Sequence, residues 1–249
     1  MCTDDLDKYE KKYKRFLRSN HQVNKKDNLS EYIQNPYNYF YKVLVKLSKN
    51  YNSILELASG SGTYSSDFLN LFKKVTLSDL SNYSLLILSK KFDQNENVEL
   101  KKLDIENINL PSNSQELICI IGSISYGDNY KIISEINRIL KKNGTFLILD
   151  SPNDNFIFYV YRLFLLIFNK DKRSKKTFRN LLTDKTISIL NDFFEIKEVR
   201  YFGHFLPIAF IISFLPRKIS HKLIKKLITF EDNLKYNKNG YKVVIELKK

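Results

Sequence analysis

The residues best placed to do chemistry fall in one short run, Glu56-Leu57-Ala58-Ser59-Gly60-Ser61-Gly62. It lies between an apolar stretch of strand character and a stretch of helical character. Small side chains there let the backbone turn tightly and let a ligand approach the amide groups, which favour polar or anionic atoms. Two acids close the next strand-like runs: Asp79, 19 positions after Gly60, and Asp104, 25 further on. Taken singly, Asp79 could cap the helix beginning near Ser81, and Asp104 could open a turn. In an open parallel sheet, however, the carboxyl ends of the strands share one rim. Loop and acids would then converge on one extended ligand, a geometry that suits a nucleoside. A dinucleotide-binding turn would prefer a third glycine where this chain has Ser65.

Holding these residues in place needs strands separated by helices, and from Ser53 the chain has that rhythm. Strands are predicted over 54–57, 75–77, 98–103, 117–121 and 145–149, and helices over 63–72, 81–92 and 128–142. The last helix carries apolar residues at 132, 133, 136, 139 and 140, and Asn143-Gly144 is expected to end it as a C-cap. Beyond 149 the alternation is interrupted by an apolar helix over 153–168 and a basic loop over 170–179. A helix over 183–191 then leads into a strand over 195–201. A second insertion, 205–233, pairs an apolar segment with a basic amphipathic one around Pro216, and an alternating strand over 241–247 closes the chain. Ahead of this fold lie a charged helix over 4–17 and a helix over 37–47, for which Asn35 and Pro36 supply the N-cap and first residue.

The chain has 249 residues, of which 43 % are hydrophobic and 27 % charged, with seven Gly and five Pro. That is globular usage, and it excludes coiled rods, collagen-like chains and disulfide mini-proteins. The formal net charge is +14, which raises nucleic acid, anionic membranes or phosphorylated molecules as partners. Only eight of the 41 basic residues are Arg, however, and the chain is crowded with Lys, Asn and Ile, as A/T-rich codons would produce. Charge alone therefore assigns no partner. Cys2 and Cys119 are too few and too far apart for a disulfide framework or a zinc site. No apolar run reaches membrane-spanning length and no secretory signal opens the chain, so cytoplasmic residence is expected.

From about 52 to 201 the chain resembles the class I S-adenosylmethionine-dependent methyltransferases. The family's first motif, an acid and a small-x-Gly-x-Gly loop, matches Glu56-Leu57-Ala58-Ser59-Gly60-Ser61-Gly62. Its ribose-binding acid matches Asp79, followed by Leu80, and its adenine-flanking pair matches Asp104-Ile105. The run from Glu135 to Thr145 is similar to the family's helix and turn before the fifth strand. The resemblance implies an α/β, Rossmann-like fold with a seven-stranded, mostly parallel sheet and an antiparallel last strand. It also implies S-adenosyl-L-methionine as cofactor, held by Glu56, Ala58, Ser59, Gly60, Gly62, Asp79, Leu80, Asp104, Ile105, Gly122 and Ser123. Two departures stand out. Ala58 replaces the loop's first glycine and would demand an unstrained backbone there, and Gln115-Glu116 replaces the usual Phe-Asp pair.

The implied organisation is an N-terminal helical appendage or lid over 1–50 and a methyltransferase domain over 51–249, with acceptor-pocket insertions at about 153–182 and 205–238. Tyr126, Asp128 and His204 are the candidates for acceptor contact or proton removal, with Asp150 beside them. Asn35-Pro36-Tyr37-Asn38 lacks the second proline of the motif used by nucleic-acid amino methyltransferases and precedes the fourth strand, so it reads as a helix start. The segment from Asp150 to Asn155, with Tyr161, Arg162, Arg173, Lys176 and Arg179, is similar to methyltransferases of bacterial surface-polysaccharide pathways. The acceptor expected from this is a small molecule methylated on oxygen or nitrogen, such as a sugar or glycan precursor bearing phosphate or nucleotide. One alternative is a lipid or quinone methyltransferase docking on a membrane through residues 205–226; another, motivated by charge, is RNA methylation.

Overall fold

The computed structural model describes residues 10, 11, 13, 14, 28–156, 158–160, 163, 178, 180–234, 238 and 240–249. Among these, the apolar runs become a seven-stranded sheet. Its strands are β1 (Ser53–Leu57), β2 (Lys74–Asp79), β3 (Val98–Lys102), β4 (Gln115–Ile121), β5 (Leu140–Asp150), β6 (Glu195–Phe202) and β7 (Lys242–Lys248). The spatial order is β3-β2-β1-β4-β5-β7-β6. Parallel ladders join β1 to β2 and β4, β2 to β3, and β4 to β5, whereas β7 runs antiparallel to both β5 and β6. The strand order reverses between β1 and β4, so the carboxyl ends there frame the crevice in which such sheets take ligands.

The strands are apolar on both sides because helices cover both sides. One face presents Leu55, Leu57, Ile118, Ile120 and Ile148 to Ile132, Ile133 and Ile136 of α3 (Asn129–Ile139) and Leu190 of α4 (Asp184–Phe193). The other presents Ile54, Val75, Leu77, Leu117, Cys119 and Leu147 to α1 (Asn28–Leu47) and α2 (Asn82–Phe92). A third, smaller core joins α1 to α5 (Leu206–Ile212) and α6 (Arg217–Asp232) through Tyr32, Ala209 and Ile224.

Three local expectations are overturned. Residues 63–72 form no α-helix, only a 3-10 turn at Ser65–Phe68. The face that this helix would have covered is taken by Phe40, Val43, Leu44 and Leu47 of α1, against which Phe68 and Phe72 pack. Asn35 and Pro36 do not start a helix, because Pro36 lies inside α1. Proline removes one helical hydrogen bond and crowds the preceding turn. The helix is nevertheless held on both sides of the break: Tyr32 donates to Glu231 Oε1 at 2.8 Å before it, and Phe40 to Leu47 are packed in the core after it. Finally, α3 ends at Ile139 rather than at Asn143-Gly144. Residues from Leu140 are drawn into the sheet, where Asn143 N donates to Lys249 O at 3.0 Å and Lys249 N to Gly144 O at 3.1 Å.

Of the helix expected over 4–17, residues 10, 11, 13 and 14 are described and are helical. Of the insertion helix over 153–168, residues 156, 158–160 and 163 are helical. Cys2, Tyr161, Arg162, Arg173, Lys176 and Arg179 lie outside the described residues.

Candidate functional site

Beyond β1 the chain turns through three left-handed residues at alternate positions: Ala58 at φ 54°, Gly60 at 58° and Gly62 at 63°. Glycine adopts this conformation freely, but alanine pays roughly 1–2 kcal/mol in steric strain. The unstrained backbone expected at Ala58 is therefore not what the fold provides. The loop is held against that strain by Ser59 N, which donates to Ser78 O at 2.8 Å, and by Gly62 N, which donates to Ser59 O at 2.9 Å.

Asp79, at the end of β2, is the brace of the loop. Its Oδ2 accepts from Gly60 N at 2.8 Å and its Oδ1 from Ser81 N at 2.9 Å. The Ser84 hydroxyl donates to the Gly60 carbonyl from the first turn of α2. Burial pushes the Asp79 carboxyl above its ordinary value, against the opposing pull of the Ser81 and Gly60 amides. Beneath the loop Glu56 is 3 % exposed and accepts from the Ser65 hydroxyl. Its pKa is pushed up to about 7, first by burial, with hydrogen bonds from Ser65 and Ser59 pulling the other way and the charge of Asp79 adding to the rise.

Neighbouring strand ends complete the rim. Leu103 N donates to Asp79 O at 3.3 Å, which sets the Asp104-Ile105 turn beside Asp79 and Leu80. Asp104 Oδ1 accepts from Glu106 N at 3.0 Å, and Ile105 is buried. After β4, Gly122 has φ 66° and its N donates to Leu149 O at 2.8 Å. A Cβ added at Gly122 would meet no atom within 4 Å, so the rim is open there. The Ser123 hydroxyl reaches the Ile121 carbonyl at 3.2 Å and lies 3.5 Å from the Ala58 carbonyl. A carboxylate flanked by backbone amides, an apolar pair and an open glycine position fit the ribose, adenine and sulfur-bearing arm of S-adenosylmethionine.

The structure adds Tyr13 to this rim. It is 5 % exposed, and its hydroxyl lies 2.5 Å from where a Cβ on Gly60 would sit. Its phenol is pushed well above the ordinary range by burial, then by Asp79 and Tyr126. Glu10 Oε1 accepts from Asn82 N at 3.0 Å and holds the same segment against α2. One tyrosine in a highly charged stretch gives no periodic signal, and only the tertiary contact reveals it. Further along the rim, Tyr37 of α1 stacks on Tyr64 with ring centroids 4.2 Å apart, and these two rings with Asp67 line part of a cleft of about 240 Å³.

The four candidates for acceptor contact or proton transfer are dispersed. Tyr126 lies in the turn after β4, its N donating to Ser123 O at 3.2 Å, and adds to the electrostatic rise at Tyr13. Asp128 caps α3, its Oδ1 accepting from Lys131 N at 3.1 Å. Asp150 ties two loops together, accepting from Ile124 N at 3.1 Å and Ser151 N at 2.7 Å. His204 follows β6, four strands from β1 in the sheet, or roughly 19 Å at ~4.8 Å per strand. There its Nδ1 lies 2.8 Å from Glu231 Oε1, which also accepts from the Tyr32 hydroxyl. These contacts make His204 a tie between β6, α1 and α6.

Residues 55–148 match the family described as a methyltransferase domain. None of the curated proteins matches the chain. Among solved structures, a SAM-dependent methyltransferase from Aquifex aeolicus is 15 % identical with a TM-score of 0.54, over 84 % of this chain and 88 % of that one. A geranyl diphosphate C-methyltransferase from Streptomyces coelicolor, solved with geranyl diphosphate and S-adenosyl-L-homocysteine, is 12 % identical with a TM-score of 0.59, over 85 % of this chain and 77 % of that one. With the glycine loop, the braced acid at the second strand and the antiparallel seventh strand, these matches give the chain a methyltransferase domain over 55–148, set in the fold of the S-adenosylmethionine-dependent methyltransferases.

Proposed function

We propose that this enzyme methylates an oxygen or nitrogen of a small-molecule acceptor at the β1–β4 rim, with Tyr126 nearest the reacting atoms. When bound, S-adenosylmethionine supplies a methyl group already activated on a positively charged sulfur. The protein's task is then alignment and exclusion of water, for which proximity alone is worth a large share of the barrier. In this reading Asp79 accepts from the ribose hydroxyls while bracing Gly60, Leu80 and Asp104-Ile105 flank the adenine, and Gly122 and Ser123 leave room for the sulfonium arm. Glu56, Ala58, Ser59 and Gly62 shape the floor. The segment around Tyr13 lies over the loop as a lid, and the insertions at 153–182 and 205–238 contribute to the acceptor pocket.

The observation that carries this reading is the Asp79–Gly60 hydrogen bond at 2.8 Å beside the open position at Gly122. The enclosure of the loop by Tyr13 supports a small acceptor over a polymer. The Streptomyces coelicolor neighbour, which holds geranyl diphosphate, supports an acceptor of that size and one that bears phosphate. Because Asp128 and Asp150 are both engaged by backbone amides, an amine or an ionisable hydroxyl is favoured over a sugar alcohol that needs a strong base. The test is calorimetry with S-adenosylhomocysteine, followed by transfer of a labelled methyl group to a panel of phosphorylated sugars, amines and phenols. Binding with transfer to one of these classes is the expected result. A folded protein that ignores the ligand at sub-millimolar concentration would overturn the assignment of the site.

A further inference from the structure

The second insertion, besides the side it turns to the body, carries an exposed outer surface. Around α6 three stripes follow the helical repeat. Ser220, Ile224 and Glu231 face the body and are buried, Ile219, Leu223 and Phe230 form the next stripe and are exposed, and Lys218, Lys222 and Lys225 lie beyond it in solvent. The turn leading into α6 extends the apolar stripe: Phe214 is 75 % and Ile211 68 % exposed, and Phe210 meets Phe214 edge-on at 5.0 Å. None of Lys218, Lys222 and Lys225 pairs with an acid among the described residues. Arg217 and Lys218 also stand in the first turn of α6, which has no acid, where a helix favours negative charge.

We propose that the α5–α6 hairpin is a docking surface for an anionic lipid bilayer, with Ile211 and Phe214 entering the headgroup boundary and the lysines meeting the lipid phosphates. Charge decides the partner. A second copy of the chain would set these lysines against their own kind across the apolar tip. RNA would satisfy the lysines but offers isoleucine no apolar phase. A bilayer with anionic headgroups satisfies both stripes, and lysine stems can lie along the apolar side while their ammonium groups reach outward. Among the described residues no helix is long and apolar enough to cross a membrane, so the hairpin lies on the surface. It is anchored for the purpose, because Tyr32 and His204 both hold Glu231 on its buried side. The proposal is independent of which molecule accepts the methyl group.

The test is flotation of the full chain with phosphatidylcholine vesicles, with and without about one third phosphatidylglycerol. The wild type should float with the anionic vesicles only. Lys218→Gln with Lys222→Gln should weaken partitioning by at least about tenfold, at roughly fivefold per lysine. Ile211→Ser with Phe214→Ser should lose at least about tenfold through the apolar contact. Leu86→Ser, at an exposed leucine on α2, should change nothing. Thermal unfolding midpoints equal to the wild type show that the variants are folded. The proposal is overturned if the wild type stays free of anionic vesicles, or if binding survives both double substitutions. It is equally overturned if Phe214→Ser instead dissolves a dimer, or if salt-sensitive RNA binding occurs without vesicle binding.

Discussion

Two glutamates, one on β1 and one on α6, are equally buried and oppositely tuned. Glu56, 3 % exposed beneath the glycine loop, has its pKa pushed up to about 7. Glu231, 4 % exposed under the α5–α6 hairpin, is held below its ordinary value. Burial raises both. At Glu231 it is outweighed by donors converging on the carboxylate: His204 through both ring and backbone, and the Tyr32 hydroxyl. At Glu56 the Ser65 and Ser59 hydroxyls are too weak to outweigh it, and Asp79 adds a repelling charge. The difference lies in the number and kind of donors: Glu231 gathers three on Oε1 alone and is stabilised as a carboxylate although its buried Oε2 has no hydrogen-bond partner, whereas Glu56, with serine hydroxyls and a neighbouring acid, is not.

The largest effect is expected from Asp79→Ala, which removes two amide-bound carboxylate contacts and the ribose acceptor of the proposed site. S-adenosylhomocysteine affinity should fall about a thousandfold by calorimetry, and a loss below tenfold would mean that the loop does not depend on this brace. Next is Glu56→Gln. A carboxyl raised from 4.5 to about 7 binds its proton more tightly in the folded state, so wild-type stability falls as pH rises between those values. The variant should escape this, gaining on the order of 3 kcal/mol over the wild type between pH 5 and pH 8. Identical pH profiles would refute the raised carboxyl.

Glu231→Ala should cost about 2 kcal/mol by denaturant unfolding while leaving cofactor affinity unchanged. A carboxyl lowered in the folded state has the opposite sign: its stabilisation is present above its ordinary value of 4.5 and is lost as pH falls through the lowered one. The cost of this substitution should therefore shrink in acid. The smallest effect is expected from Ala58→Gly, which relieves the left-handed strain at φ 54° but adds chain entropy to the unfolded state. A net stabilisation of about 0.5 kcal/mol is expected in thermal unfolding, and a destabilisation would show that the alanine methyl packs better than the strain costs.

Legibility followed the same division. The strands were plain in the sequence because a sheet covered on both faces must be apolar at nearly every position, as at Leu117 to Ile120. The glycine loop with Asp79 was plain because left-handed turns and strand-end acids leave residue types at fixed spacings. What stayed hidden depends on distant contacts. The expected helix over 63–72 is absent because α1, from another part of the chain, covers that face. Asn143-Gly144 looked like a helix end because nothing local shows that Lys249 pairs there. Tyr13 reaches Gly60 from a stretch whose composition says only that it is charged. His204 has the chemistry of a base, but its partner Glu231 is 27 positions away, and Tyr32, which donates to the same carboxylate, is 199 positions from Glu231, beyond any local pattern.

Pro36 gives α1 a mechanical role. Upstream of it Tyr32 belongs to the small core beneath the hairpin, and downstream Tyr37 stacks on Tyr64 while Phe40 to Leu47 are fixed to the sheet. A rod lacking one internal bond flexes most readily at that point. The joint falls one residue from the aromatic wall of the cleft, so α1 links that wall to the hairpin core, beside the ties that His204 and Arg200 make from β6 to Glu231 and Asp232.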